Sequence, residues 1–234
     1  MCGWRVDNLV KVIGVIQARI TSNRLPAKAM LDLEGKTILE RVVERVKLSN
    51  KIDEIWIATS NQIEDDLIES LSKKNGIACF RGSLNNVFNR FYGVLSMADA
   101  DIVVRITADN PLTEPRLIDK AIFNLINSNL DYIGYKNVPK GSGVEAFTRE
   151  SFIKILQSGD LTSDHKEHVT SYYYQNQDKF KVKFIEDIYT EDQALVNVSI
   201  DTIDDYVKMA LIYKLLKEEN VDILNYLDRT LGII

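Results

Sequence analysis

The sequence predicts an α/β fold: a doubly wound, mostly parallel sheet with a small mixed-sheet insertion. Two observations carry that expectation. Val12–Ala18 is an almost unbroken apolar run, the pattern of a parallel strand covered on both faces. From there to residue 127, strand-like runs alternate with helix-like segments, which favours a parallel sheet flanked by helices.

Each element follows from its local pattern. After a polar loop, Thr37 can cap a helix in which Ile38, Leu39, Val42, Val43 and Val46 recur at helical spacing. Glu54–Thr59 reads as a second strand, 64–75 as a helix stopped by Gly76, and Ala78–Phe80 as a short strand. A helix over Val87–Ala98 and a buried strand over Ile102–Ile106 complete the alternating part. After Leu130, Tyr132–Tyr135 and Val144–Phe147 read as strands around the loop NVPKGSG. Helices are expected over Arg149–Gln157 and around Lys166–Gln175, then strands over Lys181–Ile185 and Val196–Ile200. A long helix over Ile203–Glu218 would pack through Val207, Leu211 and Leu215. With no internal repeat, low-complexity tract or linker, one domain over 1–234 is the simplest organisation, divided at 12–128, 129–200 and 201–234.

Composition narrows the function classes. A chain of 234 residues can bury a sizeable core, and 45% apolar with 27% charged residues is ordinary for a globular protein. A net charge of −5 argues against nucleic-acid or membrane partners, which normally need a basic surface. Cys2 and Cys79 make no disulfide framework, and with His165 and His168 the only histidines, a structural zinc site is not expected. The opening stretch lacks a signal-peptide pattern and no run is long enough to span a membrane, so a cytoplasmic location is expected.

Against that acidic background, ARITSNRLPAK follows the first strand directly, where open parallel sheets bind ligands. Arg19 and Arg24 offer forked donors for phosphate oxygens, Lys28 a point charge, and Ser22 a hydroxyl. Neither GxxxxGK[ST] nor GxGxxG is present, so this is no Walker loop and no dinucleotide fingerprint. A surface loop whose cations pair with distant carboxylates satisfies the same spacing. Asp109, in TADNP, and Asp201, in SIDTIDD, each follow a predicted strand; a turn residue before Pro111 and a helix cap are their plainer readings. Asp204 and Asp205 suit the first turn of the last helix. DAD at 99–101 matches a glycosyltransferase DxD pattern but precedes its strand.

As a set, ARITSNRLPAKAML, IWIATS, CFRGSLNNVFNRFY, VVRITADNPLTEP, DHKEHVTSYYY and VSIDTIDDY resemble the motifs of the cytidylyltransferases that make CMP-activated sugars, in the same order. The similarity is nearest to the spore-coat polysaccharide type and the CMP-Kdo synthetases, within a group that includes the acylneuraminate enzymes. Ala29 and Met30 stand where that family often has Pro and Leu, and TADNP replaces a QGDEP-like stretch, which argues against Kdo itself as acceptor.

The resemblance implies a Rossmann-like nucleotide-diphospho-sugar transferase fold, with 12–128 as the nucleotide-binding half, 129–200 as the acceptor-binding part and 201–234 as C-terminal helices. By position, Ala18, Arg19, Ser22, Arg24 and Lys28 would hold the triphosphate, with Arg19, Arg24 and Lys28 acting in catalysis. Asp109 and Asp201 would bind Mg²⁺, Asp109 also facing the nucleotide. Arg81 and Arg90 would lie near base or phosphate, in a segment that also reads as a helix start capped by Asn85 or Asn86. The implied substrates are CTP and a small acidic acceptor, for which Lys140, Glu145, His165 and His168 are candidates, the histidines being three apart on one helical face. A homodimer is expected, with SYYY as core or contact surface. A GTP- or UTP-using transferase, or a silent nucleotide-binding regulator, would keep the same loop.

Overall fold

The computed structural model describes residues 10–219; Cys2 and the expected helical segment beyond 219 lie outside the described residues. The chain runs β1 (Val12–Gln17), a 3₁₀ turn (Lys28–Met30), β2 (Asp32–Leu33), β3 (Lys36–Thr37), α1 (Ile38–Val46) and β4 (Glu54–Ser60). A second 3₁₀ turn (Ile63–Asp65) leads into α2 (Asp66–Lys74), β5 (Ala78–Gly82), α3 (Val87–Ala98), β6 (Ile102–Thr107) and α4 (Pro115–Asn127). Then follow β7 (Tyr132–Tyr135), β8 (Glu145–Thr148), α5 (Arg149–Ser158), α6 (Ser163–Glu167), α7 (Ser171–Gln175), β9 (Val182–Ile185), α8 (Glu191–Ala194) and α9 (Ile203–Glu219).

Seven strands form one sheet in the order β5-β4-β1-β6-β8-β7-β9, in which β8 runs antiparallel to both its neighbours. The mixed part therefore extends the main sheet, while β2 and β3 make a separate antiparallel pair. The chain winds outward from β1 to β4 and β5, then crosses to β6 on the other side of β1. That reversal opens a crevice at the carboxyl ends of β1 and β6.

Capping sets the helices where the sequence placed them. Thr37 and Glu40 form a reciprocal capping box at the start of α1, and Asn86 accepts from the Asn89 amide at the start of α3. One face of the sheet buries Leu39, Val42, Val46, Ile68, Ile118 and Leu125 from α1, α2 and α4. The other buries Phe88, Phe91, Val94, Phe152, Ile155 and Tyr173 from α3, α5 and α7.

Three expectations change. The helix around 166–175 divides into α6 and α7, because His168 leaves the helical region at φ −102°, ψ 79°. Val196–Ile200 is not a strand: Val198 N–H donates to Lys140 and Ile200 N–H to Asp109, two separate loops, so no ladder can propagate. The α9 face is also different. Val207, Leu211 and Leu215 are exposed, while Met209 and Ile212 are buried. Tyr206 and Tyr213 orient that helix by donating to the carbonyls of Asp32 (2.7 Å) and Pro111 (2.6 Å). No helix among the described residues is long and apolar enough to cross a membrane.

Gly93 lies inside α3, where alanine would ordinarily favour the helix by about 0.8–1.0 kcal/mol. A Cβ there would meet Cζ of Phe80 at 2.1 Å. Gly93→Ala should therefore lower the thermal midpoint, overpacking costing about 1–3 kcal/mol. The penalty should shrink in a Phe80→Ala background when both pairs are melted in parallel.

Candidate functional site

The loops after β1 and β6 diverge around a cleft of about 650 Å³. Buried Asp65 fixes the first loop, accepting from the Ile20 amide at 2.7 Å and, across from it, the Ser60 amide at 2.9 Å. Ala27 then adopts a left-handed conformation (φ 55°), uncommon for a residue with a Cβ, and starts the 3₁₀ turn that projects Lys28. Ala18, Arg19, Ser22, Arg24 and Lys28 all line the cleft.

The Lys28 ammonium lies 2.6 Å from Asp109 and 3.1 Å from Asp201, and donates to the Ile200 carbonyl at 2.9 Å. Its side chain is only 16% exposed, so the point charge of the loop is pinned between the two carboxylates. Asp201 also meets Arg24 at 2.9 Å and Lys140 at 3.0 Å. Burial works against its charge, but hydrogen bonds from Lys140 and Lys28 prevail and hold its carboxyl below the usual range. Asp205, in the first turn of α9, accepts from the Asp201 and Thr202 amides and so fixes this segment. The cleft thus has an end in which two carboxylates share one cation.

The cleft also carries Arg90, Arg105 and His168, with Arg19 paired to Glu167 at 3.1 Å. Arg105 was not singled out by the motif reading, yet a lone cation inside the apolar run IVVRI was the available signal. It donates to Gln17 at 3.1 Å and to Glu145. Glu145 in turn accepts from Tyr132 (2.6 Å) and Thr170 (3.0 Å).

The remaining expected residues divide accordingly. Arg81 is not brought to the cleft: its guanidinium is held by Asp66, Glu69 and the carbonyls of Ser60 and Gln62, on the α2 side of β5. Glu145 is not a free acceptor ligand, since its oxygens are engaged within this network. His165 and His168 are not a pair. His165 is buried, accepting from the Thr162 amide and bonded to Gln175 at 2.8 Å, whereas the His168 ring is exposed at the cleft. Lys140 belongs with Asp201, on the carboxylate side.

A parallel sheet with its order reversing at a cation-lined loop, facing two carboxylates, is the arrangement of a nucleotidyltransferase. The comparisons carry this further. The family model described as cytidylyltransferase matches residues 13–228, and the chain belongs to that family. It is 39% identical over 219 residues to MJ1063 of Methanocaldococcus jannaschii, covering 94% of this chain and 90% of that one. It is 31% identical to the spore coat polysaccharide biosynthesis protein SpsF of Bacillus subtilis, covering 87% and 86%. A 3-deoxy-manno-octulosonate cytidylyltransferase of Chloroherpeton thalassium is 32% identical over 119 residues, 51% of this chain and 48% of that one. Among solved structures, a cytidylyltransferase from Leptospira borgpetersenii superposes with a TM-score of 0.79 at 29% identity, covering 90% of this chain and 95% of that one. The chain is a nucleotidyltransferase.

Lys28→Met removes the shared cation and leaves Asp109 and Asp201 facing each other. The unliganded protein should lose about 1–3 kcal/mol at neutral pH. Adding Asp109→Asn should recover part of it, which a double-mutant cycle on chemical denaturation reads directly. The sign with pH follows from Asp201: its lowered carboxyl stabilises the fold above the unfolded-state value, and that contribution disappears as pH falls through the folded one. Parent and Lys28→Met should therefore converge in stability on acidification below about pH 4.

Proposed function

We propose that this protein transfers CMP from CTP to a small acidic acceptor, releasing pyrophosphate, in the synthesis of surface-polysaccharide precursors. One observation carries the reading: Lys28 bridging Asp109 and Asp201 beside a loop of cations, at the switch point of the sheet. Family membership and the kinship to SpsF support the choice of nucleotide and pathway class.

The two carboxylates also suit Mg²⁺. They are hard oxygen donors already sharing a cation, and no group of three or more His, Cys, Asp or Glu stands together among the described residues. Phosphate oxygens and water would complete the shell, as is usual for this ion. When bound there, Mg²⁺ would supply charge neutralisation at the phosphates.

The chain's own residues supply the rest. Arg19, Arg24 and Lys28 bind the triphosphate and offset the charge that builds on the departing β- and γ-phosphates. The acceptor oxygen forms a bond to the α-phosphorus while the bond to the bridging oxygen breaks, and that electron pair leaves on pyrophosphate. Positioning and electrostatics carry such a transfer. Arg105, oriented by Glu145 and Gln17 on the cleft wall, would hold the acceptor's acid group, with His168 beside it in the cleft and Lys140 reached through Asp201. Assembly as a homodimer belongs to this proposal.

Pyrophosphate release, assayed with four nucleoside triphosphates against a panel of acidic sugars and phosphorylated acceptors, tests the reading. CTP should be preferred, chelator should abolish turnover, and added Mg²⁺ should restore it. Asp109→Asn and Asp201→Asn should each reduce turnover by about 10²-fold or more, with the double variant losing far less than the product. A preference for GTP or UTP, or turnover indifferent to chelator, counts against it.

A further inference from the structure

α9 is apolar on two faces. Met209 and Ile212 are buried, whereas Ile203, Val207, Leu211 and Leu215 are 50–60% exposed. At about 100° per residue, Val207 and Leu211 stand about 160° round from Met209 on either side. The exposed row therefore lies opposite the buried one. A helix that is apolar all round is ordinarily covered all round. Here the inner face has its cover, and the outer one has none among the described residues.

The shape of the outer row indicates what fits it. Its residues recur every four positions, which makes one ridge about 18 Å long at about 1.5 Å per residue. Ridges of this spacing are what helices use to pack against each other. The row is also symmetric about Met209, with Ile203 mirroring Leu215 and Val207 mirroring Leu211. Reversed and laid on itself, it sets aliphatic against aliphatic at every position, as a two-fold contact requires. The margins agree with the same operation. Exposed Asp204 lies in the first turn and exposed Lys208 and Lys214 lie further on, so an antiparallel copy brings acid beside lysine. The two helix dipoles then oppose each other as well. Leu195, 84% exposed, adds to this face: it stands two residues before Asn197, which donates to Asp205 and accepts from Lys208.

We propose that two copies of this chain associate through α9, antiparallel about a two-fold axis between Val207 and Leu211. This rests on the homodimer in the reading above and gives it a face. The contact bears on the cleft too. Asp205, in the first turn of the same helix, accepts from the Asp201 amide at 3.0 Å, so a partner seated on α9 braces one of the two carboxylates.

Sedimentation equilibrium over a range of concentrations, without nucleotide, tests it on the parent, Val207→Lys, Leu211→Glu and the variant carrying both. The parent should be a dimer. Each single variant should raise the dissociation constant about 10-fold or more, as a charge at the centre of an interface does. Both should keep the parent's circular dichroism, because the two side chains are exposed. The double variant should regain association, since the new cation of each copy faces the new anion of the other, and that association should weaken with added salt. Single variants that associate like the parent place the dimer contact elsewhere and overturn the proposal. A double variant no tighter than the singles overturns the antiparallel register. A monomeric parent overturns both the face and the homodimer, while leaving nucleotide transfer, which pyrophosphate release reads separately, untouched.

Discussion

The cleft depends on one contact, the Lys28 ammonium held between Asp109 and Asp201. Those partners stand 81 and 173 residues away along the chain. Three segments therefore meet at one charge: the turn after β1, the end of β6 and the lead-in to α9. A mostly covered cation stabilises two carboxylates that would otherwise repel, and they repay the cost of burying it. Ala27 in its left-handed conformation and Asp205 at the amides of Asp201 and Thr202 hold the two outer segments to this geometry.

The two ends of the cleft are prepared in opposite ways. Around Lys28 every charge already has a partner, so the unliganded state is electrostatically complete and ligand binding is an exchange. Around Arg90, by contrast, the guanidinium Nε and Nη1 are buried without a hydrogen-bond partner among the described residues. An exchange tolerates different nucleotides, because any triphosphate offers the same oxygens.

Arg105 and Glu145 show a third arrangement, a charge pair facing across β6 and β8 within the sheet itself. Tyr132, Thr170 and Gln17 satisfy much of the pair's remaining capacity, and this makes it tolerable inside an apolar layer. Glu145 thereby acts on the cleft through Arg105 rather than directly.

The order of strands and helices, the switch-point loop and the paired aspartates were legible in the sequence, because local periodicity and capping determine elements and because several unlike motifs occur in a family's order. Val12–Gln17, Val87–Ala98 and the Thr37 cap follow from residues within one turn or one strand of each other. Direction in space is another matter. Arg81 and Arg90 stand nine positions apart in one motif, yet Arg81 turns to the acids of α2 and Arg90 into the cleft. His165 and His168 share a helical spacing but part where the helix breaks, and α9 presents Met209 and Ile212 to the core although Val207 and Leu211 fit the same periodicity. Apolar residues on both faces leave a helix's rotation undetermined until its neighbours are in place. A charged side chain's role depends on which partner lies within about 3 Å, and for Lys28 those partners stand 81 and 173 residues along the chain, which only the packed chain brings together.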